Sequence, residues 1–208
     1  MKGGLIILSA PSGAGKTTIE QFILSEIPNV VKVITCTTRK PRKNEVNGKD
    51  YIFLTEEEFK KLIEKDFFLE YAIVHGRYYG TPKEKVLEEI NRGNDVLLNI
   101  DVQGALTIKN KYSSIFSITS IFIIPPSIDE LIRRLEKRGE TKEEIERRLK
   151  SLEKEMSKWK YYDFIVINDI LEKAKDDVKR IILSQRLRTD RFNLSIIKDE
   201  KLKKLMEM

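Results

Sequence analysis

Lys16 and Thr17 close a run whose residue types suit a polyphosphate. Residues Ser9 to Thr18 read S-A-P-S-G-A-G-K-T-T, directly after the apolar stretch Leu5-Ile6-Ile7-Leu8. A buried strand that breaks into a glycine-rich turn and then a helix is the layout of a phosphate-binding loop. Glycines let successive backbone N–H groups turn toward an anion, and the new helix points its positive N-terminal end at the same anion. In this layout Ser12, Gly13, Ala14, Gly15, Lys16, Thr17 and Thr18 surround the phosphates of a nucleoside triphosphate. Lys16 reaches the terminal phosphates, and the Thr17 hydroxyl serves a magnesium ion. Ala10 stands where the pattern G-x-x-x-x-G-K-S/T has its first glycine, a departure that a small residue keeps mild.

A second group of anion-binding residue types begins at Thr35-Cys36-Thr37-Thr38-Arg39-Lys40-Pro41-Arg42. Arg39 and Arg42 stand three apart around a proline with hydroxyls nearby, and guanidinium groups bind phosphate through paired hydrogen bonds. Such a turn suits a monophosphate clamp; it equally suits solvated surface. A third region, 125 to about 157, is dense in arginine and carries two helix starts, Ser127 with Glu130 and Thr141 with Glu144, joined at Gly139. It reads as a helical flap. The only histidine, His75, lies beside Gly76 and reads as a loop residue, not a base. Cys36 reads as a small half-buried residue, and Trp159 with Tyr161 and Tyr162 as packing for the last helix pair.

These groups need a frame to hold them. Five apolar segments, Leu5–Leu8, Val31–Ile34, Val96–Ile100, Ile121–Ile124 and Phe164–Ile167, have the length and composition of strands buried on both faces. Helical segments separate most of them, including Lys16–Ile27 and one running from Pro82 to Gly93, so the fold class is α/β with a doubly wound parallel five-stranded sheet. Residues 35–84 break the alternation with short β-type runs, Tyr51–Leu54 and Phe68–Val74, around a helix capped by Thr55 and Glu58. This gives core over 1–34, a β-rich insertion over 35–84, core over 85–125, a helical lid over 126–156, core over 157–188 and a tail over 189–208. In the tail, Ile196, Ile197, Leu202, Leu205 and Met206 suit an amphipathic helix or a frayed terminus.

Composition bounds the reading without fixing it. The 208 residues carry 39 Lys and Arg against 33 Asp and Glu, a formal net charge of +6. That balance favours anionic partners, and abundant Lys, Glu and Ile is equally the surface of a heat-adapted protein. No motif for nucleic-acid recognition accompanies the charge. No stretch is long and apolar enough to cross a bilayer, and the N-terminal apolar run leads straight into the phosphate loop, unlike a signal peptide. One cysteine excludes an internal disulfide framework, and a cytoplasmic location is expected.

Several motifs in order resemble one family. T-T-R-x-P-R-x-x-E-x-x-G-x-D-Y over 37–51, Phe68-Leu69-Glu70-Tyr71-Ala72, Gly76-Arg77-Tyr78-Tyr79-Gly80-Thr81, Ile100-Asp101-Val102-Gln103-Gly104, Pro125-Pro126-Ser127 and Ile167-Asn168-Asp169 resemble guanylate kinase across about residues 2–188. The resemblance implies a P-loop NTPase-type core whose insertion binds GMP and whose lid closes over ATP. It places the GMP phosphate among Thr35, Arg39, Arg42, Tyr51 and Tyr79, and the guanine against Glu70, Thr81 and Asp101. Guanine offers N1–H and N2–H side by side, which suits an ionised carboxylate that only accepts. It also assigns Arg134, Arg138 and Arg148 to the phosphates in transfer, Asn168 to the neighbourhood of the adenine, and magnesium to the ATP phosphates and Thr17. Arg133 and Arg147 are the adjacent residues with which Arg134 and Arg148 are easily confused.

Asn99 departs from the resembled pattern, which usually has an acidic residue there. An amide can accept a hydrogen bond from a metal-bound water but supplies no charge. Two other readings share the framework: a non-catalytic guanylate-kinase-like module that binds phosphopeptides, and a kinase for another nucleoside monophosphate. The intact Lys16 opposes the first, and Glu70 with Asp101 opposes the second.

Overall fold

Alternate residues of the first apolar run enter two different cores. Ile6 and Leu8 pack with Ile19, Ile23, Val178 and Ile182 on one side, while Leu5 and Ile7 pack with Val86, Ala105, Ile108 and Phe122 on the other. A strand clothed on both faces by helices must be apolar at every position, which is why this run shows no alternation in sequence.

A computed structural model describes residues 2–42, 44–74 and 76–207; the reading of His75 as a loop residue lies outside the described residues. The elements in chain order are β1 (Leu5–Ser9), α1 (Lys16–Glu26), β2 (Val30–Lys32), β3 (Cys36–Thr37), β4 (Ile52–Phe53) and α2 (Glu56–Glu64). There follow β5 (Phe68–Val74), β6 (Arg77–Pro82), α3 (Lys83–Asn91), β7 (Asp95–Asn99), α4 (Val102–Tyr112) and β8 (Ile118–Ile124). The chain ends with α5 (Ile128–Lys137), α6 (Lys142–Met156), β9 (Phe164–Ile167), α7 (Leu171–Gln185) and α8 (Glu200–Met206).

All five expected core strands form, Phe164–Ile167 with the expected bounds and the others with ends shifted by up to three residues. They make one parallel sheet in the order β2-β7-β1-β8-β9. The phosphate loop leaves the carboxyl end of central β1, and the carboxyl end of β7 lies beside it. Open α/β sheets bind ligands in the crevice outside these strand ends.

The insertion is a second sheet in the order β4-β3-β6-β5. Its helix α2 carries the full reciprocal cap, Thr55 accepting from the Glu58 amide and Glu58 from the Thr55 amide. β3 and β6 escape a hydropathy reading because one has two residues and the other contains Gly80 and ends in Pro82. Gly80 is a packing requirement: a Cβ there would lie 2.7 Å from Phe68 and 2.8 Å from Phe59, whose rings stack at 4.4 Å. Pro82, expected to open α3, occupies its N-cap position, where no helical N–H is required.

The flap is a helix pair. Leu131 and Leu135 of α5 meet Ile145 and Leu152 of α6 in a small core of their own. Thr141 closes a complete capping box with Glu144, but Ser127 makes only half of one. It accepts from the Glu130 amide at 3.1 Å, while the Glu130 carboxylate turns to Arg133 and Arg134.

The segment after residue 188 is anchored through Arg191. Arg191 is 4% exposed, pairs with Asp95 and donates to the carbonyl of Lys2. Asp95 also accepts from the Gly4 amide and from Arg186. Beyond it α8 forms with Leu202, Leu205 and Met206 exposed.

Candidate active site

Two clefts meet at the phosphate loop, one of about 580 Å³ between the loop and the lid, the other of about 420 Å³ between the loop and the insertion. Lys16, Thr17, Val74 and Asp101 line both. A molecule in each cleft would present its end to the same lysine.

The loop's shape is fixed from outside as well as by its own residues. Gly13 and Gly15 have φ of +90° and +94°, the left-handed region that side chains disfavour. A Cβ at Gly15 would lie 2.2 Å from the Asn168 amide nitrogen, and one at Gly13 would lie 2.8 Å from Leu131 of the lid. Asn168, buried at the end of β9, donates from Nδ2 to the Ala14 carbonyl at 2.8 Å, and its own carbonyl accepts from Arg134 at 2.9 Å. Its side chain therefore braces the loop. Lys16 Nζ contacts the Ile100 carbonyl at 3.4 Å, and burial lowers its pKa against the opposing pull of Asp101, Glu20 and Glu155. Thr17 and Thr18 are exposed at the start of α1.

Three of the lid arginines face inward in different ways. Arg138 and Arg148 line the first cleft; Arg148 donates to Ser12 of the loop and pairs with Glu140. Arg134, only 22% exposed, is held by Glu130 and Asn168. Arg133 is 67% exposed and Arg147 is exposed, so the structure separates them from their neighbours.

The second cleft gathers residues from 35 to 101. Thr35, Arg42, Tyr51, Glu70, Tyr79, Thr81 and Asp101 all line it. Arg39 stands at its edge, with its guanidinium 5.3 Å from the Tyr51 ring and bonded at 2.8 Å to Glu45. The other oxygen of Glu45 accepts the Arg42 amide at 2.8 Å, so one carboxylate ties the two arginine positions together. Glu70 accepts from the Thr81 hydroxyl at 2.7 Å. Burial, with a smaller push from Asp101, raises its pKa to about 7, against the lowering effect of the Thr81 bond. Asp101 caps α4 by accepting the Gly104 amide at 2.8 Å. Gly104 leaves room for Glu70, since a Cβ there would lie 2.8 Å from Oε2.

Sequence reasoning assigned no role to Glu45, Glu20 or Lys32. Glu45 stood inside the quoted motif as the partner its arginines needed. Glu20 sits one turn beyond Thr17 on α1, a spacing that puts both on one face. Lys32 gave no signal, because its place on an edge strand is a tertiary fact.

The family model for guanylate kinase matches residues 2–185. The chain belongs to the guanylate kinase family. It is 47% identical over 192 residues to the guanylate kinase of Caldanaerobacter subterraneus subsp. tengcongensis, covering 91% of each chain. With that of Clostridium acetobutylicum the identity is 46% over 208 residues, covering 99% of this chain and 97% of the relative. The crystal structure of guanylate kinase from Anaplasma phagocytophilum superposes with a TM-score of 0.75 at 34% identity, covering 91% of this chain and 89% of that one. Among the described residues no helix is long and apolar enough to cross a membrane.

Proposed function

We propose that this chain transfers the γ-phosphoryl group of ATP to GMP, giving ADP and GDP, with ATP in the cleft under the lid and GMP in the cleft of the insertion. The observation that carries the reading is the shared lining: Lys16 and Asp101 border both clefts, so donor and acceptor phosphates converge on one lysine. Phosphoryl transfer asks the protein mainly for positioning and charge neutralisation. The loop amides and Lys16 serve the ATP phosphates, and Arg138 and Arg148 bring positive charge from the lid. Arg134 serves through Asn168 and the loop. Arg39, Arg42, Tyr51, Tyr79 and Thr35 hold the GMP phosphate, with Glu45 orienting the arginines. Glu70, Thr81 and Asp101 read the guanine. The acceptor is a largely ionised phosphate oxygen and needs no general base. Lid closure excludes water and keeps the phosphoryl group from hydrolysis.

Among the described residues no cluster of three or more His, Cys, Asp or Glu could hold a metal ion by itself. The oxygen donors beside the loop fit a hard cation that takes its other ligands from phosphate and water, which is magnesium. Thr17 would hold it, and bound there it offsets phosphate charge.

The test is ADP production from ATP and magnesium with GMP, AMP, UMP or dTMP offered in turn. GMP should exceed AMP in kcat/KM by roughly ten-thousandfold, since adenine sets an acceptor against the Glu70 carboxylate. Glu70→Gln should collapse that ratio and leave ATP binding unchanged. An unaltered ratio would move the base-reading site elsewhere.

A further inference from the structure

Part of the negative charge beside Thr17 comes from an unexpected element. Asn99, at the carboxyl end of β7, brings an amide, and its Nδ2 donates to Oε2 of Glu20 on α1. Glu20 is 5% exposed and lines the second cleft together with Lys16, Thr17 and Asn99. Its other oxygen, Oε1, lies 2.8 Å from Lys32 Nζ, a charge contact that lacks hydrogen-bond geometry, so this buried oxygen has no hydrogen-bond donor. Buried carboxylate oxygens are ordinarily supplied with donors, and one that meets only an ammonium, on a side chain bordering a cleft, is placed to accept from something that enters.

The nearby acids each have one oxygen engaged. Glu70 accepts from Thr81, and Asp101 accepts the Gly104 amide. Among these three, only Glu20 keeps a buried oxygen without a hydrogen-bond donor, and it shares a helix face with Thr17 at i, i+3. What enters must carry donors or positive charge and must sit beside a hydroxyl and a lysine that serve phosphates. A hydrated divalent cation fits: its water ligands donate outward, and carboxylates that accept from them fix their orientation. Lys32 balances the charge when no cation is present. Its side chain is 38% exposed, so water can take over its charge when the carboxylate turns to another partner.

We infer that Glu20 is the positioning carboxylate for the magnesium ion that accompanies the nucleotide, accepting hydrogen bonds from the metal's water ligands, with Asn99 holding it in place. The assignment rests on the phosphoryl-transfer reading above. Thr17 gives the protein's direct oxygen ligand, and Glu20 supplies the charge that the end of β7 lacks.

The experiment measures Mn²⁺ binding to the protein–ADP complex without acceptor, so no turnover occurs, by the electron paramagnetic resonance signal of free Mn²⁺. Glu20→Gln should weaken Mn²⁺ binding about tenfold, as loss of a carboxylate oriented on metal-bound water does. ADP affinity without metal and thermal stability without metal should stay unchanged. The exchanged pair, Glu20→Gln with Asn99→Asp, should recover most of the lost affinity. Equal Mn²⁺ affinity in wild type and Glu20→Gln would overturn the inference, as would a fall in metal-free stability with no fall in Mn²⁺ affinity. If Glu20→Gln does not fold, wild type labelled with ¹³C at glutamate Cδ still decides. Mn²⁺·ADP should broaden the Glu20 signal, and a sharp signal at saturation overturns the role. Absence of any Mn²⁺·ADP binding by wild type would instead sink the kinase reading itself.

Discussion

Glu70 Oε1 accepts a hydrogen bond from Thr81 Oγ1 at 2.7 Å, across the pairing of β5 with β6. Both residues are buried, and the bond holds the carboxylate at the floor of the second cleft. Because burial outweighs the help from Thr81, the group titrates at about 7.

Guanine binding should therefore be coupled to ionisation of Glu70. Only the carboxylate accepts both N1–H and N2–H, so GMP affinity should fall as pH drops below about 7, with up to one proton released on binding. The GMP phosphate itself protonates near about 6, so Glu70→Gln provides the baseline. Isothermal titration between pH 5.5 and 8.5 should show a pH slope in wild type that the variant lacks. Identical slopes would remove Glu70 from the linkage.

The same shift acts on stability with the opposite preference. Glu70 binds its proton more tightly folded than unfolded, so its contribution is fully present below its ordinary value of 4.5. It is lost as pH rises through about 7. Glu70→Gln should flatten this part of the stability–pH curve in the ligand-free protein, measured by urea denaturation. A curve of unchanged slope between pH 5 and 7 would contradict it.

Lys16→Ala should leave a folded protein whose phosphoryl transfer falls at least about a hundredfold, the scale for a lost electrostatic stabiliser. Single-turnover measurement with saturating ATP and GMP isolates the step. Near-normal transfer would rule out the mechanism.

Arg148 reaches from α6 to Ser12 of the loop, a contact between lid and loop. Arg148→Ala should lower kcat by about tenfold or more and change the KM for GMP by less than about threefold, because Arg148 lines the cleft proposed for ATP and not the one proposed for GMP. A raised KM for GMP with unchanged kcat would assign the arginine to the acceptor.

Arg191→Met should destabilise the fold by about 3 kcal/mol, the low end for breaking a buried ion pair, because Arg186 still serves Asp95. Urea denaturation measures it. A loss under about 1 kcal/mol would mean that Arg186 and the Gly4 amide suffice for Asp95.

The phosphate loop, the five core strands and the two lid helices were legible because each depends on neighbours in sequence. Strands buried on both faces announce themselves as unbroken apolar runs, and caps and glycines mark the helix ends. The motifs around Arg39, Glu70 and Asp101 were legible through resemblance, since a lone acid or a basic turn has no local signature of a site. Strands β3 and β6 were not legible, because a two-residue strand and one built around Gly80 exist only where the other strands and the Phe59–Phe68 stack receive them.

What only the tertiary structure decided are the pairings over long separations in the chain. The brace from Asn168 to Ala14, the meeting of Asn99 with Glu20, and the burial of Arg191 against Asp95 join residues 154, 79 and 96 positions apart. Sequence fixes which groups are available. Which of them meet depends on strand order and helix placement, and so does the burial that moves Glu70 to about 7, because hydrogen bonding and desolvation act through space and not along the chain.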